Sequence, residues 1–158
     1  IALNSQGSKG QEMSQPSFHI DVIGQPVPQG SLRRTPYGVI HSNDEALRSW
    51  RNQLVVDLVD NMPIDWDSEN APISVVADFR FARPNSHFGK KGLRPSAPRH
   101  KTTRCDLDKL IRACGDAIQE AYVVKDDSQI VQWIASKRWI REDEKPGVHL
   151  TIINQSPK

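Results

Sequence analysis

The chain has 158 residues, 25% of them charged and 37% hydrophobic, with a formal net charge of +2. That length holds one domain with a real core and is short for two, and the composition excludes a disordered or membrane-embedded chain. No apolar run approaches bilayer length, no secretory start is visible, and two cysteines nine residues apart make neither a zinc site nor a disulfide framework, so a reducing cytoplasm is expected.

Residues 1–12 are polar and patternless ahead of Met13. They are expected to be an appended or natural flexible tail, leaving 13–158 as the domain. Phe18 to Gly24 alternates apolar and polar residues and predicts a first strand, ended by Gly24 and two prolines. Gln29 to Arg34 reads as a basic loop and Tyr37 to His41 as a short strand. Asn43 is a candidate N-cap, with Asp44 and Glu45 suited to the positive end of a helix. Leu47, Trp50, Leu54 and Leu58 recur at helical spacing and predict an amphipathic helix of about 16–18 residues, closed by Met62 and Pro63. Ile73 to Ala82 is the clearest strand, with Ile73, Val75, Ala77, Phe79 and Phe81 on one face.

The 22 residues from Arg83 to Arg104 carry seven Lys or Arg, two His and no acid. They contribute +7, leaving −5 for the rest of the chain (2 minus 7). One basic arm on a mildly acidic body suits a polyanionic partner bound at one place. The arm is predicted to be a loop that orders on binding, with Lys90, Lys91, Arg94, Arg99, Lys101 and Arg104 as its candidate contacts to a polyanion, the plain alternative being a solvated loop. From Asp108 a second helix is predicted to about Tyr122, its buried stripe formed by Leu110, Cys114, Ala117, Ile118 and Ala121. Asp108, Lys109, Arg112 and Asp116 fall on the opposite arc. A turn at 125–128, a strand from Gln129 to about Arg141 and a last strand from Val148 to Asn154 complete the chain. The expected class is mixed α/β (α+β): a single domain with a small mixed sheet flanked by two main helices.

Five aspartates (Asp106, Asp108, Asp116, Asp126 and Asp127) gather around the second helix. Crowded carboxylates repel unless something positive sits between them, and a hard divalent cation is the common solution. Two or three carboxylates can hold such an ion against a phosphate, where it activates water and neutralises charge. Lys109 or Arg112 would add charge stabilisation; Arg112 stays protonated, so its role is electrostatic only. Asp106, still extended, and Asp108, near the helix cap, can share a site. Asp126 and Asp127 lie beyond a helix roughly 21 Å long. Bringing Asp127 to Asp106 requires an antiparallel return at the sheet edge, or a second subunit. The plain alternatives are a helix cap for the first pair and a turn for the second. His41, His87, His100 and His149 lack metal-ligand spacing and read as ordinary solvent or core residues. Trp50, Trp133 and Trp139 read as core or interface.

Asp106-Leu107-Asp108, Leu110, a basic residue at 112, Asp116, and then Asp126-Asp127 followed by Gln129-Ile130 resemble the signature of the RusA family of Holliday-junction resolvases, over about residues 104–131. The resemblance implies metal ligands at Asp106, Asp108 and Asp127, with Asp126 accompanying the last. It implies Mg²⁺, with Mn²⁺ able to substitute, and no organic cofactor. It further implies a homodimer making paired symmetric nicks in four-way DNA junctions, in the cytoplasm of a bacterial host. A two-fold protein suits a near-two-fold substrate. Two positions depart from the family pattern: Lys109 stands where the family has Asn, and Arg112 where it has a functional lysine. Any role that needs a lysine able to lose its proton fails at that position, unless Lys109 substitutes. Two rival readings remain: a non-catalytic protein binding branched or single-stranded DNA, and a metal-dependent hydrolase of a small phosphorylated substrate, which would leave the basic arm without a use.

Overall fold

In the computed structural model, residues 15–30, 32–41 and 44–157 are described; the expected tail and the candidate cap Asn43 lie outside them. The order is β1 (Ser17–Ile23), β2 (Leu32–Thr35), β3 (Gly38–His41), α1 (Asp44–Asn61), β4 (Ile73–Phe81), β5 (Phe88–Gly89), β6 (Gly92–Leu93), α2 (Leu107–Glu120), β7 (Ile130–Trp139) and β8 (Gly147–Asn154). This is the expected mixed α+β class.

The main sheet runs β1-β8-β4-β7. β8 is antiparallel to both neighbours, while β4 and β7 are parallel. The parallel pair follows from the connection: the arm and α2 lie between β4 and β7, and such a crossover is long enough to return the chain to the same end. α1 and α2 pack on each other, with α1 over β1 and α2 over β7. The predicted inward residues of β4, from Ile73 to Phe81, are all at most 2% exposed, and the α2 stripe from Leu110 to Ala121 is at most 4% exposed. Truncating a side chain such as Phe79 in this core would cost about 3–5 kcal/mol.

On the opposite face of the sheet, His19 and His149 stack at 5.4 Å. There Arg80 pairs with Asp21, and Arg138 bridges Asp78 and Glu144. Hydrogen bonding from Arg138 holds the Glu144 carboxyl down at about 2.

The structure corrects two expectations. Part of the supposed basic loop 29–34 is strand: β2 pairs with β3 in a hairpin. The basic arm is not all loop. It holds a 3₁₀ turn at Asn85–His87 and the β5–β6 hairpin. Its return leg is stitched to the edge of β7, with His100 opposite Arg138 and Trp139 N–H donating to Arg99 O. Arg83 ties the arm's base by donating to Pro98 O and Ile140 O, both at 2.7 Å. These bonds satisfy backbone groups that a free loop would leave to water. Among the described residues no helix is long and apolar enough to cross a membrane.

Candidate active site

Asp106 occupies the N-cap position of α2 in an extended conformation (φ −71°, ψ 139°), yet its side chain makes no capping hydrogen bond. The carboxylate is therefore not consumed by the plain structural role. It is 67% exposed and has Lys109 Nζ at 3.9 Å. Surface pairs of this kind are weak, so most of its charge stays available. Two bonds fix the approach to the helix: Lys137 Nζ donates to Thr103 O and to Cys105 O, each at 2.7 Å. Nothing in the linear motif points to Lys137. The two-residue period of β7, however, puts it on the inward face with Trp133, Ala135 and Trp139, an odd place for a lysine.

The far end of α2 closes with Tyr122 in the left-handed region (φ 59°). Val123 N–H donates to Ile118 O and Tyr122 N–H to Gln119 O, the bond pair that commonly ends a helix at a glycine. Tyr122 OH also donates to Glu69 at 2.6 Å, so side-chain anchoring accompanies a backbone shape that favours glycine. Buried Val123 and Val124 then lead into the acidic turn. Here the plain reading holds for one residue. Asp126 caps the 3₁₀ turn Asp127–Gln129, accepting from Ser128 N–H at 2.8 Å, and Gln129 Oε1 accepts in return from Asp126 N–H. The Ser128 hydrogen bonds hold the Asp126 carboxyl below the usual range. Gln129 Nε2 donates to Ser68 O and Ala71 O, locking the turn to the neighbouring loop. Asp127 is left exposed at a fixed position.

The acids divide between two concavities. Asp108, Arg112, Asp116 and Asp127 line a cleft of about 290 Å³ floored by Gly115 and Trp133. Asp106 and Lys109 line a larger groove of about 660 Å³ with Gln29, Lys101, Arg104 and Trp139. The helix explains the division, since consecutive residues point about 100° apart, which turns Lys109 away from Asp108. The strand after the acidic turn does return to the helix start at the sheet edge. It brings Lys137 and Trp139 there, while Asp127 stays with Asp108 and Asp116. Asp116 thus lines the same cleft as Asp108 and Asp127.

Of the arm cations, Lys90, Lys91, Arg94, Arg99 and Arg104 are exposed. Lys101 is 8% exposed, its ammonium 5.1 Å from the Phe81 ring centre and 4.9 Å from that of Trp139. Burial pushes its pKa down. Burial likewise raises the Cys105 thiol, which argues against a nucleophilic thiolate at the helix start.

Among the described residues no three His, Cys, Asp or Glu side chains stand close enough to hold an ion together. Asp108 and Asp116 are about 12 Å apart along the helix, too far to share an ion whose ligands lie at about 2.1 Å. Mg²⁺, however, takes one or two carboxylates and fills its remaining positions with water and substrate phosphate. The cleft offers those hard oxygen donors with a guanidinium beside them. The residues fit such an ion.

Carboxylates in one cleft and cations along the groove and arm are the groups that a protein meeting nucleic-acid phosphates would need. The sequence model of the family Endodeoxyribonuclease RusA matches residues 24–153, and the chain belongs to that family. The match runs from the end of β1 into β8 and takes in both concavities. Membership makes this a nuclease-family protein and implies Holliday-junction resolution. A search of curated proteins found no match.

Proposed function

We propose that the protein is a Mg²⁺-dependent, structure-selective endonuclease that resolves four-way DNA junctions by paired symmetric nicks as a homodimer. What supports this reading is that Asp108, from the first turn of α2, and Asp127, from the capped turn after it, line one cleft together with Arg112. Asp108 and Asp127 would hold the ion, and Asp106 joins the set by its place in the motif. The bound ion supplies water activation and charge neutralisation at the phosphate. Asp126 orients Asp127 through the cap rather than spending its oxygens on metal. Arg112 holds a non-bridging phosphate oxygen, and Lys109 balances charge on the Asp106 side. Lys90, Lys91, Arg94, Arg99 and Arg104 follow a DNA arm by phosphate contacts. The homodimer reading draws support from β7, an edge strand whose Val131 and Ile134 are 62% and 55% exposed.

Asp108→Asn and Asp127→Asn should still bind junction DNA but lose roughly a hundredfold or more in Mg²⁺-dependent cleavage. Cutting at the wild-type rate by either variant would refute the assignment. The basic hairpin at β5–β6 also favours a second reading, junction binding without catalysis. Under that reading affinity falls steeply with salt, and no divalent ion produces a nick.

A further inference from the structure

The basic arm carries an aromatic side chain among its cations. Phe88 of β5 is 43% exposed, two residues before Lys90 and Lys91 at the tip of the hairpin. One exposed apolar residue means little by itself. This one lines a cavity of about 270 Å³ with Gly92 and Leu93 of β6 and with Ile140 and Arg141, which follow β7. Gly92, at φ +98°, has no atom within 4 Å of where a side chain would begin, so that wall is open.

The frame around the ring is fixed. Phe88 pairs with Leu93 across the hairpin, its N–H donates to Asn85 O, and its carbonyl accepts from Arg94 Nε at 3.2 Å. The preceding His87 packs edge-on against Trp139, with ring centres 5.0 Å apart. Arg83 holds the far wall through Ile140 O. A ring carried on so tied a backbone loses little freedom when something stacks on it.

Charge narrows the partner. Residues 83–104 hold seven Lys or Arg and no acid, and Lys90, Lys91 and Arg94 are exposed beside the ring. The partner is therefore a polyanion that also offers a flat apolar group. A bare phosphate has no such group, and inside the cavity it would meet Glu142. A nucleobase has one, and every base presents a π face to an aromatic side chain. In an intact duplex those faces are covered by neighbouring bases; at a branch point one can be free. The cavity lies just under the roughly 300–1,000 Å³ of drug-sized ligand sites, which suits a single ring system.

We propose that Phe88 stacks on one unstacked base at the branch point of the bound DNA, while Lys90, Lys91 and Arg94 take the flanking phosphates. The proposal rests on the endonuclease reading for its substrate and adds to it a base-stacking site on the arm, lined by none of the residues of the carboxylate cleft.

The test measures binding of the full chain, in EDTA so that no strand is cut, to a four-way junction and to a duplex of the same arm sequence. Phe88→Ala should weaken junction binding by roughly 5–100-fold and leave duplex binding within about twofold. No charge changes, so the salt slope for the junction should stay as in wild type. Phe88→Trp should keep the preference for the junction. Phe88→Leu, apolar but without a π face, should behave like Phe88→Ala. The inference is overturned if Phe88→Ala binds the junction as wild type does, if junction and duplex binding fall together, or if Phe88→Leu keeps the preference. Wild-type protein that cuts junctions in Mg²⁺ while Phe88→Ala binds them undiminished overturns the base site alone. Protein whose junction binding depends on Phe88 but which never cuts overturns the endonuclease reading and leaves the base site standing.

Discussion

Lys137→Met tests whether the start of α2, where the proposed catalytic acids lie, is held in place from the sheet. Methionine keeps most of the stem's length and volume but removes the ammonium that donates to Thr103 O and Cys105 O, each at 2.7 Å. Hydrogen bonds from a charged donor contribute about 1.5–3 kcal/mol each. The Thr103 bond is exposed and its carbonyl would regain water, whereas the Cys105 bond is partly buried. A net loss of about 2–3 kcal/mol is therefore expected. For a chain of 158 residues each kcal/mol moves Tm by about 2–4 °C, so Tm should fall by about 4–12 °C. Cleavage should fall further than junction binding, by roughly 10–100-fold, as with other losses of support behind a catalytic carboxylate. Calorimetry and single-turnover cleavage measure the two effects. An unchanged Tm, together with a salt slope of DNA binding reduced by about one, would make Lys137 a phosphate contact and refute the reasoning.

The other predictions separate the acids and the cations. Asp126→Asn should leave cleavage within about twofold of wild type, because asparagine caps as well as aspartate; Asp126→Ala should lower Tm and cleavage together. A stable but inactive Asn variant would instead make Asp126 a ligand. Replacing Lys90 and Lys91 at the hairpin tip by alanine should reduce the salt slope of junction binding by roughly 1–2 while leaving single-turnover cleavage at saturation unchanged; an unaltered slope would take the tip off the DNA. Glu144, held at about 2 against an ordinary 4.5, contributes stability that is full above the ordinary value and fades as pH falls toward 2. After allowance for solvent screening this is about 1–2 kcal/mol. The Tm gap between wild type and Glu144→Gln should thus shrink from pH 6 to pH 3, and a constant gap would count against the ion pair.

Much of this fold is written in two periodicities. The alternation from Ile73 to Phe81 and the stripe from Leu110 to Ala121 are local patterns, and burial follows them because apolar faces have one place to go. The β2 strand escaped the same logic, since Leu32-Arg33-Arg34-Thr35 pairs only with its hairpin partner and has little apolar alternation to show. The order of the arm was equally hidden. It depends on Arg83 reaching Ile140 and on Arg99 meeting Trp139, contacts between residues far apart in sequence. At the site, the spacing of the aspartates picked out the helix and turn whose acids line the cleft. Which acids share a cleft depended on where β7 runs, and that is decided by its parallel pairing with β4.

The division of the acids also recasts the two departures from the family pattern. In sequence Lys109 and Arg112 look like a displaced pair, one cation moved in from its neighbour's position. On the helix they face different concavities: Lys109 stands by Asp106 in the groove, and Arg112 lies with Asp108 and Asp127 in the cleft. Each acidic site therefore keeps a cation of its own. The guanidinium at 112 can hold phosphate but cannot shed a proton at working pH. In the proposed reaction, proton transfer at the cleft would then fall to water and the carboxylates, with Lys109, 3.9 Å from Asp106, balancing that acid rather than replacing Arg112.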